Sequence, residues 1–217
     1  MNHPIPIRPV FADGRDVRLQ LKVKRMLDVV LSAALLTALS PVLLAIAAAV
    51  KTTSRGPLFY ACAWVGKDER RFTGYKFRTM VPDADALEAG LQSANEMQGP
   101  AFKITNDPRI TPVGRWLRKY SLDELPQLFS VLKGDMSLVG PRPPREHEYA
   151  RFTPYQRQKL SVMPGLTCLW QVEGRHRISD YDEWVRLDLE YIANWSLVLD
   201  ASILLRTVGV VLRGTGV

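Results

Sequence analysis

Two adjacent acidic residues, Asp123 and Glu124, stand in the run SLDELPQ at residues 121–127. A third acid, Asp135, follows in the run KGDM, and Arg142 stands between two prolines in the run GPRP. Carboxylate oxygens are ligands that Mg²⁺ prefers, and the planar donor fork of arginine suits phosphate. An ionised aspartate can also attack phosphorus and carry the phosphoryl group covalently. This pattern indicates metal-assisted chemistry on phosphates.

Helix capping explains the same acidic run without any chemistry. Ser121 followed by Glu124 is a capping-box pattern, and Asp123 can itself cap a helix. Pro126 then falls in a first helical turn, where proline is tolerated. Both explanations predict a helix N-terminus here, whose N–H groups attract phosphate and favour an ionised carboxylate. A turn residue is the structural alternative for Asp135.

Basic residues surround the acidic run in sequence: Lys76, Arg78, Arg109, Arg115, Arg118 and Arg142. A solvated surface accounts for any single one of them, but Pro141 and Pro143 restrict the backbone of Arg142 and make it the strongest candidate. We predict that substrate phosphates are bound by Lys76, Arg78, Arg115, Arg118 and Arg142. We predict that Mg²⁺ is bound by Asp123, Glu124 and Asp135. The late acids Asp182, Asp188 and Glu190 are expected to be solvated.

The composition favours a folded protein with an anionic partner. The 217 residues include 47% hydrophobic residues, and 29 Lys and Arg against 22 Asp and Glu give a net charge of +7. Cys62 and Cys168 lack CxxC spacing, so neither a disulfide framework nor a zinc site is expected. The three histidines form no HExxH pattern. Residues 1–13 read as a loose tail and lack the form of a signal peptide.

A long apolar segment follows the tail. Residues 19–52 read as helix, and residues 26–50 carry one charge, Asp28. About 25 helical residues reach roughly 37 Å, enough to cross a hydrocarbon layer of ~30 Å. Ser40-Pro41 interrupts the segment, because proline removes a backbone hydrogen bond. Each half is then too short to span.

The flanks of this segment are both basic, with Lys22, Lys24 and Arg25 before it and Lys51 and Arg55 after it. Positive residues prefer the cytoplasmic side of a membrane, so both ends are predicted to lie there. We therefore predict a re-entrant helix, broken at Ser40-Pro41, that enters one leaflet and returns. A kinked span and a buried helix of a soluble protein are the alternatives.

The remaining pattern predicts short elements. A β-hairpin is expected over residues 58–65 and 71–79, with its turn at residues 67–70. Helices are expected at residues 83–97, 113–120, 123–132, 145–152, 154–160, 180–194 and 197–213, with a loop at 99–112 and a turn at Pro164-Gly165. The predicted class is α+β and helix-dominated: a re-entrant membrane helix, a small β-hairpin and interfacial amphipathic helices. The predicted organisation is a flexible tail (1–18), a membrane helix (19–52) and a cytosolic-facing catalytic domain (53–217).

The last predicted helix is amphipathic. Its apolar face contains Leu197, Ile203, Leu204, Val208, Val211 and Leu212, and its polar residues are Asp200, Arg206 and Arg213. With Trp170, Trp184 and Trp195 nearby, this helix is a candidate for the lipid interface. A helix that covers the protein core explains the pattern equally well.

Ordered motifs along the chain resemble those of the bacterial sugar transferases, monotopic phosphoglycosyl transferases that act on polyprenyl phosphate. The early motifs are residues 24–28 (KRMLD), 40–41 (SP), 56–59 (GPLF), 75–80 (YKFRTM), 106–111 (NDPRIT) and 113–118 (VGRWLR). The later ones are residues 121–127 (SLDELPQ), 133–143 (KGDMSLVGPRP), 164–167 (PGLT), 170–171 (WQ) and 174–175 (GR). One departure is Cys168, where such proteins often have glycine.

The resemblance implies a two-step exchange. Asp123 would attack the sugar-bearing phosphate of a UDP-sugar, UMP would leave, and undecaprenyl phosphate would then take the phosphosugar. Glu124 would be the partner of Asp123 near Mg²⁺. The short form is most similar to starter enzymes of exopolysaccharide synthesis, at the cytosolic face of the bacterial inner membrane.

Two other functions remain open at this stage. A membrane-bound metal-dependent phosphohydrolase would use similar acids and arginines, and a noncatalytic membrane adaptor would need the acids only as caps. The apolar segment argues against a nucleic-acid binder. The expected partners are a UDP-sugar, undecaprenyl phosphate and membrane lipid, with a possible homo-oligomer, and no run of residues identifies the hexose.

Overall fold

A computed structural model of the chain describes residues 15–174 and 178–216. The first helix begins at Arg15, so residues 15–18 are helical and do not belong to the predicted flexible tail. Residues 1–14 and Arg175 of the predicted motif lie outside the described residues. Within the described ranges the protein is helix-dominated α+β with one antiparallel hairpin, as the sequence predicted.

The apolar segment forms two helices, α1 (Arg15–Ala38) and α2 (Ser40–Thr53), which meet at an angle of 62°. The break confirms the prediction at Ser40-Pro41. Pro41 has no N–H to offer the carbonyl of Thr37, and the hydroxyl of Ser40 donates to that carbonyl instead, at 2.8 Å. The serine therefore satisfies the acceptor that the proline leaves open.

No single helix in the described part of the chain combines the length and apolar character needed to cross a bilayer. The bent pair Asp16–Ala38 and Ser40–Thr53 meets both conditions when its halves are taken together.

The predicted hairpin is present as β1 (Phe59–Val65) and β2 (Arg71–Phe77), paired antiparallel. The α-helices that follow are α3 (Ala84–Glu88), α4 (Pro112–Lys119), α5 (Leu128–Lys133), α6 (Glu146–Tyr149), α7 (Pro154–Arg157), α8 (Leu169–Glu173), α9 (Tyr181–Ala193) and α10 (Leu197–Arg213). Short 3₁₀ helices occupy Lys67–Glu69, Ala89–Ala94, Leu122–Gln127 and Gln158–Ser161. Two short strands, β3 (Ser137–Val139) and β4 (Gly165–Thr167), pair in parallel.

Several predicted elements differ from the structure, among them the helix predicted at residues 123–132, whose first part is the 3₁₀ helix Leu122–Gln127. The helix predicted at residues 83–97 is a five-residue α3 continued by a 3₁₀ helix that ends at Ala94. The turn predicted at Pro164-Gly165 is instead the start of β4. A Cβ on Gly165 would lie 2.0 Å from the backbone nitrogen of Gly140, so glycine permits the close approach of two chain segments here.

Basic residues of α1 attach it to the rest of the protein. The ammonium of Lys24 contacts Oδ2 of Asp200 at 2.6 Å, and the guanidinium of Arg25 donates to two backbone carbonyls at the end of α5. Asp28 accepts a hydrogen bond from the backbone N–H of Leu138 at 2.9 Å. Lys24 and Arg25 are thus committed to protein contacts, which the sequence-based topology argument did not foresee.

Burial in the core contradicts two parts of the prediction for the last helix, namely its interfacial tryptophans and its water-facing Asp200. Trp170, Trp184 and Trp195 are all buried, so they do not form an interfacial belt. Asp200 is also buried and accepts from the hydroxyl of Tyr191 at 2.8 Å, so it does not face water. A second apolar surface of α10 does point outward, consisting of Val198, Leu205, Val208 and Leu212.

Candidate active site

The acidic pair lies in the 3₁₀ helix Leu122–Gln127, before α5 begins at Leu128. Ser121 has a left-handed backbone, with φ of 54°, and its side chain makes no capping hydrogen bond. The predicted capping box is therefore wrong, and so is the argument from an α-helix N-terminus, because the run is a single short 3₁₀ segment. Asp123 is 7% exposed and Glu124 is half-buried, so both sit in a largely enclosed position.

The inner face of the hairpin supplies one wall of the site. The paired register places Tyr60 opposite Lys76 and Trp64 opposite Phe72, with side chains alternating between faces. The indole of Trp64 lies across Gly74, where a Cβ would approach a ring carbon to 2.1 Å. The ammonium of Lys76 is 5.7 Å from the centre of that indole ring.

Lys76 joins the hairpin to the acidic turn. Its Nζ lies 2.5 Å from Oε1 of Glu124, and both side chains are largely shielded from water. This contact explains how a strand residue and a turn residue 48 positions apart meet in one site.

A cavity of about 270 Å³ brings most of the predicted residues together. Its lining includes Asp123, Glu124, Lys76, Arg78, Arg118 and Arg142. The cavity therefore combines two carboxylates with several cations, which suits a ligand that carries more than one negative charge.

Arg118 and Arg142 have different electrostatic settings. Burial lowers the pKa of Arg118, while the nearby Asp123 carboxylate opposes that change, and its Nε donates to the hydroxyl of Thr79 at 2.9 Å. Burial also disfavours charge on Arg142, but attraction by Glu148 and Glu124 outweighs it and raises the pKa of Arg142. Both arginines remain charged at neutral pH.

Arg78 lines the cavity, but part of its guanidinium donates to backbone carbonyls outside the acidic turn. Its two terminal nitrogens donate to the carbonyls of Ser54 and Arg55, just beyond α2. Arg78 therefore connects the hairpin to the end of the bent helix pair, and these two contacts occupy both of its terminal nitrogens.

Three other candidate residues from the sequence are either paired with a neighbouring side chain or lie outside the cavity. Arg109 lines the cavity, but Asp107 holds its guanidinium at 2.7 Å. Arg115 is exposed and is not part of the cavity lining. Asp135 is also outside that lining, and its carboxylate lies 3.6 Å from the ammonium of Lys133.

Two features of the cavity, Arg145 and Tyr60, were not predicted from the sequence. Arg145 lines it, because an isolated antiparallel bridge pairs Arg145 with Trp64. The hydroxyl of Tyr60 donates to Asp85 at 3.1 Å, and burial, reinforced by Asp85, raises the pKa of Tyr60 to about 12. Strand alternation was the available signal for Tyr60, since it shares a face with Cys62 and Trp64.

The carboxylates fit one mode of magnesium binding. No group of three or more His, Cys, Asp or Glu side chains that could hold a metal occurs among residues 15–174 and 178–216, so Asp123, Glu124 and Asp135 do not form a complete protein cage. Mg²⁺ is commonly held by one or two carboxylates together with substrate phosphates. Asp123 and Glu124 fit this second arrangement because they line the same cavity as the cationic side chains of Lys76, Arg118 and Arg142.

Comparison with known proteins gives the family. The family model described as "Bacterial sugar transferase" matches residues 19–214. The chain is 50% identical over 161 residues to the "Galactosyl transferase CpsE" of Streptococcus agalactiae, a match that covers 74% of this chain and 36% of that protein.

Two further relatives extend the similarity. An "Undecaprenyl-phosphate galactose phosphotransferase" of Salmonella typhimurium is 46% identical over 199 residues, covering 89% of this chain and 41% of that protein. An "Exopolysaccharide production protein ExoY" of Rhizobium meliloti is 41% identical over 197 residues, covering 89% of this chain and 87% of that protein.

The chain thus spans less than half the length of the Streptococcus and Salmonella relatives but most of the Rhizobium relative. The family match over residues 19–214 includes the hairpin, the acidic turn, α10 and all but the first four residues of the bent helix pair. The chain belongs to the bacterial sugar transferase family.

Proposed function

We propose that this protein transfers a hexose 1-phosphate from a UDP-sugar to undecaprenyl phosphate and thereby initiates assembly of an exopolysaccharide. The cavity carries the proposal, because it places the buried Asp123 beside Lys76, Arg118 and Arg142. The names of the relatives support the substrates: one is a galactose phosphotransferase of undecaprenyl phosphate, and another, from Komagataeibacter xylinus, is the corresponding glucose enzyme.

The first half-reaction begins with a carboxylate oxygen of Asp123. This oxygen attacks the β-phosphorus of the UDP-sugar, and the bond from that phosphorus to the bridging oxygen of the diphosphate breaks. UMP leaves with the bridging oxygen and its electron pair, and the sugar phosphate remains on Asp123 as an acyl phosphate. Forming a covalent intermediate divides one difficult transfer into two easier steps.

The second half-reaction regenerates the carboxylate. A phosphate oxygen of undecaprenyl phosphate attacks the same phosphorus, and the bond from phosphorus to Asp123 breaks. The product is a lipid-linked sugar diphosphate. The charges balance without an oxidant or reductant, because both steps are exchanges at phosphorus.

The cations of the cavity oppose repulsion between anionic reactants. Arg118 and Arg142 offer donors to the diphosphate, and Lys76 holds Glu124 in place beside it. Asp123 or Glu124, together with the substrate phosphates, would hold Mg²⁺, which would supply further positive charge to the reacting phosphates.

The bent helix pair places this chemistry at a lipid surface in the proposal. The beginning of α1 and the end of α2 lie on the cytosolic side of the inner membrane, with the break at Leu39 inside one leaflet. The exposed apolar surface of α10 adds contact with the interface. The phosphate of undecaprenyl phosphate stays at the depth of the lipid headgroups. An active site anchored at the same depth therefore meets this substrate by diffusion along the membrane surface.

A panel of UDP-sugars with undecaprenyl phosphate in detergent tests the proposal. Release of UMP together with a lipid-linked sugar diphosphate is the expected result, with UDP-galactose and UDP-glucose as the first candidates. Sugar phosphate released into water without lipid product would indicate a phosphohydrolase. No reaction with any UDP-sugar, while the folded protein still binds lipid vesicles, would indicate an adaptor.

A further inference from the structure

Two stacked indoles form part of the cavity lining. Trp170 of α8 and Trp184 of α9 are nearly parallel, with 6° between the ring planes and 4.2 Å between the ring centres. Both residues line the cavity, although their exposed fractions are only 4% and 7%. The stack packs α8 against α9, so the contact between the rings fixes this part of the lining.

The N–H groups of these two indoles lack an acceptor. Nε1 of Trp170 and Nε1 of Trp184 are shielded from water, and neither makes a hydrogen bond with residues 15–174 or 178–216. A buried indole N–H usually has a hydrogen-bond partner, and a buried donor without one is destabilising. A ligand that brings oxygen atoms to this part of the cavity would supply the missing acceptors.

Gln171 lies next to Trp170 in the chain and is more accessible. Its side chain is half-buried and lines the cavity. It also lines a smaller recess, together with Lys76, Glu124 and Arg142. The amide of Gln171 is uncharged and can both donate and accept hydrogen bonds, as a hydroxyl can. It therefore suits a neutral ligand group that carries hydroxyls.

We propose that Trp170, Gln171 and Trp184 form the subsite for the hexose of the UDP-sugar. The Gln171 amide and the two indole N–H groups bind hydroxyls of this hexose. The inference rests on the proposed function, because it takes the cavity as the site of a UDP-sugar, and it adds the residues that recognise the sugar.

The neighbours of Gln171 explain why the ligand group is the hexose and not the uracil. In the proposed reaction Asp123 attacks the β-phosphorus, which carries the hexose, whereas the uridine is joined through the α-phosphate. Glu124 follows Asp123 in the chain and shares the recess with Gln171. Gln171 is thus placed beside the reacting phosphate, where the hexose is attached.

Gln171→Met tests the amide, because methionine has a similar length but neither donates nor accepts a strong hydrogen bond. UDP and UDP-glucose or UDP-galactose are titrated by calorimetry in detergent, with Asp123→Asn present in every protein so that no transfer occurs. We expect UDP-hexose to bind about threefold to tenfold more weakly to the Gln171→Met protein, and UDP to bind within about twofold of the parent. An equal loss for both ligands, or no loss for either, would overturn the inference.

Trp170→Phe and Trp184→Phe test the indole donors, since each removes one N–H and keeps an aromatic ring. The same selective loss of affinity for UDP-hexose is expected in both variants. Unchanged binding of UDP-hexose, or a loss shared equally by UDP, would show that the indoles do not bind the sugar and would contradict the proposal. Gln171→Met provides an independent test if either of these buried substitutions prevents folding.

Trp195→Phe is the matched control. Trp195 is also buried, but its Nε1 donates to Asp200 at 3.2 Å and it is not part of the cavity lining. This variant also loses an indole N–H, and its affinities for UDP and UDP-hexose should both equal those of the parent. A selective loss of UDP-hexose binding in Trp195→Phe would show that the effect does not depend on the cavity and would contradict the inference.

UDP-deoxyhexoses, each lacking one hydroxyl, extend the test to the sugar. A site that binds a hydroxyl rejects the analogue without it, because its own polar groups are left unpaired. With Asp123 intact, the parent should release UMP from at least one such analogue with a lower kcat/KM than from the hexose, and Gln171→Met should reduce that difference. A parent that accepts every analogue equally would overturn the inference alone, whereas a parent that binds neither UDP nor any UDP-hexose would contradict the proposed function as well.

Discussion

Asp123 and Glu124 are consecutive residues with different electrostatic surroundings. Glu124 contacts the Lys76 ammonium at 2.5 Å, whereas Asp123 acts on the charge of Arg118. Consecutive side chains of a helical segment point about 100–120° apart, so the two acids reach different sides of the cavity. This separation supports a nucleophile at Asp123 and an orienting or metal-binding role at Glu124.

The Asp107–Arg109 pair predicts a pH-dependent contribution to stability. Burial would raise the pKa of Asp107, but the hydrogen bonds from Arg109 prevail and lower it. Because its folded pKa lies below its unfolded value, the stabilisation is complete above about pH 4 and is lost as the pH falls through the folded pKa. We expect Asp107→Asn to lower the free energy of unfolding by about 1–3 kcal/mol at pH 7.

Urea unfolding in detergent at pH 7 and pH 3 measures this effect. The difference between parent and Asp107→Asn should shrink at pH 3, because the unfolded parent chain then binds a proton at this carboxyl, which favours unfolding. Asp68→Asn is the control, because Asp68 is exposed and its contact with Lys67 is 4.0 Å long. A difference that stays constant between the two pH values would contradict the assignment.

The residues that line the cavity were predicted from the sequence more accurately than the contacts that each of them makes. Asp123, Glu124, Lys76, Arg118 and Arg142 were all selected from residue type and spacing, and all line the cavity. Residue type did not distinguish Arg118 from Arg109. The difference between them arises because Asp107 pairs with the guanidinium of Arg109. The prediction that Asp188 is solvated is wrong for a similar reason: its side chain is buried against Lys159, which is distant in sequence.

At the scale of elements, the hairpin predicts a specific sensitivity at Gly74. A Cβ there would approach a Trp64 ring carbon to 2.1 Å and push the indole from its place near Lys76. We expect Gly74→Ala to cost about 1–3 kcal/mol of unfolding free energy through overpacking. UMP release should also fall, because Lys76 loses its support.

Gly90→Ala is the matched control for this prediction. A Cβ on Gly90 meets no atom within 4 Å, so the variant should unfold like the parent or be more stable by about 0.4–1 kcal/mol. Denaturant midpoints and initial rates of UMP release are the measurements. Equal behaviour of the Gly74→Ala and Gly90→Ala proteins would show that the indole is not confined as the structure indicates.

Element prediction succeeded where local pattern decides and failed where tertiary contacts decide. The hairpin, α9 and α10 follow from strand alternation and helical periodicity, and their bounds agree with the prediction to within about two residues. β4 was taken for a turn because Pro164-Gly165 is a turn signal. β4 pairs with β3, and the paired residues Ser137 and Gly165 are 28 positions apart. No local sequence pattern shows a contact of this range.

At the scale of the whole molecule, the re-entrant arrangement of the bent helix pair predicts that both ends of the apolar segment lie on the same side of the membrane. The native thiols of Cys62 and Cys168 are buried, so a maleimide reports cysteines placed elsewhere. We expect Leu19→Cys and Arg55→Cys, both at exposed positions, to resist a membrane-impermeant maleimide in spheroplasts and to react after lysis. Both ends of the segment would then face the cytosol.

Lys67→Cys in the exposed hairpin turn is the control for a cytosolic position, and it should react in parallel with the other two. Labelling of Leu19→Cys in unbroken spheroplasts, with Arg55→Cys still protected, would establish a spanning helix. That result would remove the re-entrant anchor but would leave the chemistry of the cavity intact.

The covalent intermediate on Asp123 is the central claim, and rapid-quench mass spectrometry of the intact protein tests it most directly. With UDP-galactose or UDP-glucose and Mg²⁺ but no lipid acceptor, the protein should gain the mass of one hexosyl phosphate and release an equal amount of UMP. Peptide mapping should place the adduct on Asp123, and Asp123→Asn should show neither adduct nor UMP. Turnover to lipid product by Asp123→Asn at the parent rate would contradict the account.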